Sequence, residues 1–261
     1  MLRAFSTAAT GMAGQQMIVD VIANNLANIN TNGFKRSQVD FQDLMYVKLL
    51  EAGRETASGV LAPTGFEIGS GIRPAATTKI FSAGELENTG RELDVSIQGD
   101  GFFEITMPDG STRYTRDGSF KLNANRQLVT AQGHLLGSGF TVPQDSVHIS
   151  IGNDGTVISH ISDGTGTNIG SILLTRFPNA AGLSSEGDNL LAETSASGSP
   201  ISGTPGQQGL GSLQQGFLEK SNVQMVTELV NLIKAQRAYE INSRAIRAGD
   251  EMLNTANRLI G

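Results

Sequence analysis

Residues 221–260 read SNVQMVTELVNLIKAQRAYEINSRAIRAGDEMLNTANRLI, and this stretch decides the fold. Met225, Leu232, Tyr239, Ile246, Leu253 and Ile260 recur at every seventh place, with Leu229, Ala235 and Ala256 widening the stripe. A sustained heptad of this kind marks a helix that packs along another helix. No proline interrupts it, and Ser221 or Asn222 can cap its start. Running to Ile260, the helix would be roughly 55–60 Å long. That exceeds the ~40 Å breadth of a compact domain of this chain length, so the helix is expected to project.

The other end of the chain answers it. Met1, Phe5, Ala8, Met12, Val19, Ile22, Leu26 and Ile29 step by threes and fours, with a gap at Gln15 and two glycines, Gly11 and Gly14, early in the run. Asn30-Thr31-Asn32-Gly33 supplies the stop, with Gly33 able to take a left-handed cap and Phe34 to fold against it. Two terminal helices with matching seams predict a coiled coil with apolar surface left for neighbours. Asn24, Asn25 and Asn28 are poor helix formers. They read either as solvated surface or as register-fixing hydrogen-bond partners between subunits.

Between these ends the composition changes. All seven prolines and 27 of the 32 glycines lie within residues 46–220. Phe103, Ile105 and Met107 alternate, Pro108-Asp109-Gly110 turns, and 111–116 returns. Asp117-Gly118 turns into 119–122. Val147, Ile149 and Ile151 alternate, Asn153-Asp154-Gly155 turns, and 156–161 returns. Residues 172–177 read as a further strand and 195–211 as a Ser/Gly/Pro/Gln loop. The fold class is therefore α+β: long N- and C-terminal helices forming a coiled coil, with an inserted all-β middle built as an antiparallel sandwich or barrel. The expected division is 1–33 with 221–261 as the helical domain, 34–68 as an extended connecting arm, and 69–220 as the β domain. Within the arm, residues 46–65 are polar and follow no period; an extended arm and a disordered linker both fit.

Composition excludes several functions. A net charge of −6 supplies no cationic footprint for nucleic acid. There is no cysteine, which rules out disulfides, thiolate catalysis and Cys-based zinc sites. No cleavable signal peptide is legible, because Gly11, Gln15, Gln16 and Asp20 break any early apolar run, and no stretch has membrane-spanning length. His134, His148 and His160 are the only histidines and form no metal motif. Gly99-Asp100-Gly101 lacks the lysine and third glycine of a phosphate loop. The 163–168 turn lacks the glutamate of a calcium loop. The sequence points to no catalytic residue, cofactor or metal, and so to assembly rather than chemistry.

Four motifs, in order along the whole chain, carry a resemblance. Ala23-Asn24-Asn25-Leu26-Ala27-Asn28 with Thr31-Asn32-Gly33-Phe34-Lys35 is similar to the N-terminal signature of the bacterial flagellar rod and hook family. Leu93-Asp94-Val95-Ser96-Ile97-Gln98-Gly99-Asp100-Gly101-Phe102-Phe103 and Tyr114-Thr115-Arg116-Asp117-Gly118-Ser119-Phe120 resemble its central motif. Ser221-Asn222-Val223, with Ala235-Gln236-Arg237-Ala238-Tyr239-Glu240-Ile241-Asn242, resembles its C-terminal one.

Length, the extra segment 46–65 and Gly65-Phe66-Glu67-Ile68-Gly69-Ser70-Gly71-Ile72-Arg73-Pro74 are most like the members that build the distal rod. The interior of that segment, Val47-Lys48-Leu49-Leu50-Glu51, departs from the Gln-rich versions of the family. The resemblance implies export through the flagellar type III channel without signal cleavage, and assembly in the periplasm into a helical tube that transmits torque. It implies terminal helices inside the tube and the β domain outside.

The expected interface is Phe5, Met12, Val19, Ile22, Asn24, Asn25, Leu26, Asn28 and Ile29 on the first helix. On the last it is Met225, Leu229, Leu232, Tyr239, Ile246, Leu253 and Ile260. Tyr46, Leu50, Gly53, Leu61, Pro63 and Gly65 belong to the segment that the resemblance associates with a straight rod. Implied partners are copies of the chain, proximal-rod, hook and hook-junction subunits, the P- and L-ring proteins, the export apparatus and the rod cap. Neither nucleic acid nor membrane insertion is expected. The alternatives are a proximal-rod or hook subunit of the same family, a secreted β-domain enzyme or glycan binder acting on peptidoglycan, and a surface adhesin.

Overall fold

The structure, a computed structural model, describes residues 2–57, 60–61, 63–137, 139–161, 163 and 165–260. Side chains at 2, 55–57, 60–61, 257 and 259–260 lie outside that description, so the expected roles of Leu61 and Ile260 do too, as does that of Met1. The 163–168 turn is described only in part. Helix α1 spans Leu2–Ala27 and helix α2 spans Met225–Ile260. At 36 residues α2 is about 54 Å long. By contacts the chain forms two compact units: Met1–Leu26, Ser37–Thr78 and Gln224–Gly261 make one, and Ala27–Arg36 with Lys79–Val223 the other.

In the helical unit α1 and α2 run antiparallel. Phe5 packs on Gly249, where a Cβ would come within 2.8 Å of its ring, and a Cβ at Gly11 would come within 2.9 Å of the Asn242 side chain. The glycines that weaken α1 as an isolated helix are thus points of close approach. Gly14, buried, faces Phe41 and Ile72 of an antiparallel ribbon, Ser37–Asp43 with Ile72–Lys79. The ribbon continues outward as Val47–Leu50 paired with Phe66–Ile68, then Glu55–Ala57 paired with Val60–Leu61. Residues 46–65, which show no periodicity, therefore lie along these paired strands, and of the described side chains among them only Val47 is half-buried.

In the β unit every pair of strands is antiparallel. Phe102–Thr106 lies at the centre of a nine-stranded sheet, between Thr112–Thr115 and Leu135–Leu136. Its alternation feeds two cores. Phe103 and Ile105 enter the larger, with Val95, Ile97, Val157 and Leu174; Phe102 enters the smaller, with Tyr114, Phe177, Leu183 and Leu191. The hairpin predicted over 147–161 is present as Ser146–Ile151 with Thr156–Ile161, extended by Gly166–Ser171. The expected 195–211 loop contains one short strand, Ile201–Gly203, paired with Leu174–Arg176.

The hairpin is tied to the loop before strand Val95–Gln98. Glu92 accepts from the Ile149 amide at 3.3 Å and sits 2.6 Å from His148 Nδ1, and His148 stacks on His160. The His148 hydrogen bond holds the Glu92 carboxyl below its ordinary value. A group depressed in this way supports the fold above its unfolded pKa and loses that support as pH falls through the folded one. Carboxyl NMR should therefore show Glu92 titrating below other exposed glutamates, and His148→Ala should move it back up.

Both helix boundaries differ from expectation, for one reason. α1 stops at Ala27, six residues before Gly33. Gly33 is left-handed at φ 67°, but its amide donates to the Glu219 carbonyl at 2.7 Å and it lies against the Arg116 backbone. Asn222 caps nothing either. Its Oδ1 accepts from the Arg36 amide at 2.8 Å and its Nδ2 donates to the Ile80 carbonyl at 2.8 Å. These residues fasten the segments leading to the helices into the β unit.

Candidate assembly surface

The side of α2 that faces α1 is not its most apolar one. Along the contact line every seventh residue is Glu228, Ala235, Asn242, Gly249 and Ala256, each buried or half-buried. Leu232, Ile246 and Leu253 flank this line half-buried, whereas Met225 and Tyr239 are exposed at 51% and 44%. Small and polar residues let the two backbones approach. The large side chains Val226, Leu229, Val230, Ile233, Ile241 and Met252 are left exposed. At 100° per residue, Val226, Val230, Ile233 and Ile241 lie roughly 140–220° around the helix from Glu228. α2 therefore carries two sides, one closed on α1 and one exposed, where Val226, Val230, Ile233 and Ile241 stand beside the charged Arg237 and Arg244.

On α1, Ile22 and Asn25 are buried; Phe5, Met12, Val19 and Leu26 are half-buried; Asn24 is exposed; Asn28 and Ile29, expected on the helix, are half-buried in the turn that follows it. Asn25 is used inside the chain: its Nδ2 donates to the Ser37 carbonyl and its Oδ1 accepts from the Ser37 amide, both at 2.9 Å. It closes α1 onto the ribbon as a strand partner would. Asn28 Oδ1 accepts from Thr31 Oγ1 at 3.1 Å. On the ribbon Met45, Tyr46, Leu49, Leu50, Phe66 and Ile68 are exposed, and so is Pro63. Gly53 turns at φ 82°, and Gly65 lies against the Leu50 carbonyl.

No local sequence pattern announces the buried charge node of the β unit. Lys35 Nζ meets Glu219 Oε1 at 2.6 Å and donates to the Ser82 carbonyl at 2.7 Å. Arg116 Nη1 lies 3.4 Å from Glu219 Oε2, and its Nη2 donates to the Gly99 carbonyl at 2.7 Å. The Gly84 amide donates to Glu219 Oε1 at 2.8 Å. Burial lowers the pKa of both Lys35 and Arg116, with Glu219 opposing. One side chain comes from the segment after α1, one from the central motif and one from the segment before α2. The node therefore locks the three motif regions into one body. Among the described residues there is no cluster of metal-ligating side chains and no helix long and apolar enough to cross a membrane.

Terminal helices closed on each other through small residues, bare apolar residues outside, and a β body inserted between them define a structural subunit built to associate. The family models agree in order along the chain. "Flagella basal body rod protein" matches residues 5–35, "Flagellar hook protein FlgE/F/G D1 domain" 96–159, and "Flagellar basal body rod FlgEFG protein C-terminal" 214–259. The flagellar basal-body rod protein FlgG of Buchnera aphidicola subsp. Schizaphis graminum is 47% identical over 251 residues, 96% of each chain. That of Borreliella burgdorferi is 47% identical over 99% of each, and that of Bacillus subtilis 39% over 97% of each. The chain belongs to the flagellar basal-body rod protein family.

Proposed function

We propose that the chain is a structural subunit of the distal flagellar rod, polymerising with copies of itself into a rigid helical tube that carries torque from motor to hook. The exposed side of α2 carries this reading: Val226, Val230, Ile233 and Ile241 stand 44–75% exposed on it, and a heterologous contact on such residues propagates into an open helical filament. Proximal-rod, hook and hook-junction subunits adjoin the tube at its ends, the P- and L-ring proteins surround it, and the export apparatus and rod cap deliver and seat the subunits. No catalytic step is part of the reading. Stiffness is assigned to residues 46–65, whose exposed hairpin reaches neighbouring subunits.

The double variant Val226→Asp, Ile233→Asp tests the reading. Both residues are exposed, so the melting temperature of the β unit is expected to move by no more than about 2 °C. Sedimentation and electron microscopy should find the wild type as filaments at high concentration and the variant as monomer. Filaments formed equally well by the variant would overturn the assignment of this face.

A further inference from the structure

Asn32-Gly33 is the one Asn-Gly step in the chain. An asparagine before glycine is chemically unstable in water, because no side chain shields the following nitrogen and the backbone there turns freely. The Gly33 nitrogen attacks Asn32 Cγ: the N–Cγ bond forms, the Cγ–Nδ2 bond breaks, and the amide proton leaves with ammonia. Water then opens the cyclic imide at either carbonyl and restores the N–H. The product is aspartate or, with one extra methylene in the backbone, isoaspartate.

Both polar groups of this peptide unit are engaged in the fold. The Gly33 amide donates to the Glu219 carbonyl at 2.7 Å, and the Asn32 carbonyl accepts from Asn189 Nδ2 at 3.4 Å. Gly33 is also pressed on its neighbour: at φ 67°, even a Cβ there would come within 2.6 Å of the Arg116 backbone. The strand that supplies the acceptor, Phe217–Glu219, is held by pairing with Leu86–Asn88 and by the buried Glu219 carboxylate of the charge node. Freeing the Gly33 nitrogen therefore takes an opening of that strand. We propose that Asn32 is a modification site whose reaction with water is closed in the folded chain and open in the unfolded one, and that its isoaspartyl product does not regain the native seat. The added methylene displaces Gly33 from a place fixed by the Glu219 carbonyl on one side and the Arg116 backbone on the other. A chain that stays unfolded is thereby marked irreversibly at the segment that joins α1 to the node.

Peptide mapping by mass spectrometry tests this on the full chain at mildly alkaline pH, folded in buffer and unfolded in urea. Conversion at Asn32 is expected to be about 100-fold slower or more in the folded chain. Folded Glu219→Ala should convert about tenfold faster than folded wild type, because loosening the node lets the strand open more often. Chains enriched in isoaspartate at position 32 should melt, once refolded, below the unmodified chain. Equal conversion in folded and unfolded wild type would overturn the protection, and equal conversion in folded Glu219→Ala and wild type would overturn its assignment to this strand. Isoaspartyl chains that melt with the unmodified chain would overturn the claim about the seat.

Discussion

Replacing Glu219 with alanine is expected to destabilise the β unit by roughly 3–5 kcal/mol, a fall of about 10 °C in Tm for a body of this size. The substitution removes one carboxylate and leaves two cations, Lys35 and Arg116, side by side in the interior. It also orphans the Gly84 amide. Burial already depresses the pKa of both cations, and Glu219 is what opposes that effect. The comparison that separates pairing from packing is the triple variant Lys35→Met, Arg116→Met, Glu219→Leu. Apolar side chains of similar volume need no counter-charge, so this variant should recover most of the loss. Urea unfolding of the full chain, followed by near-ultraviolet tyrosine signals of the β unit, measures both. A Glu219→Ala protein as stable as wild type would show that the node is dispensable.

The node also shows where sequence reading stops. The hairpins were legible because each is a local device: Asp109-Gly110 and Asp154-Gly155 sit between alternating runs, and the strands on either side pair as that pattern dictates. The helices were legible through their spacing. The α1 contact line of α2 was legible only at Ala235 and Ala256, which widen the apolar stripe; Glu228, Asn242 and Gly249 are polar or small and carry no hydrophobic signal. The apolar heptad marks large residues, and several of these point away from α1 because no partner within the chain covers them. Gly33 and Asn222 carry turn and cap chemistry, but their partners lie up to 186 residues away, beyond any local rule. The described part of segment 46–65 lacks periodicity for a physical reason: side chains exposed on both faces of a ribbon have no alternation to display.

In dilute monomer, α1 and α2 are expected to exchange their amide hydrogens far faster than strand Phe102–Thr106, and to gain about 100-fold or more protection on polymerisation. Of the buried hydrophobic side chains among the described residues, all but Ile22 and Ala235 belong to the β unit. Burying one isoleucine contributes roughly 1.5–3 kcal/mol, whereas fixing the backbone costs about 1–2 kcal/mol per residue before hydrogen bonds and packing offset it. Helices of 26 and 36 residues cannot draw much stability from so few contacts, and isolated helices are marginal in water. The exposed side of α2 supplies the missing burial only when a second copy covers it. Ordering of the helices and association are then one event, which makes each added subunit stiff once in place. Strong protection throughout both helices at low concentration, equal to that of the central strand, would show instead that the helical pair is stable alone and that association adds rigidity by contact only.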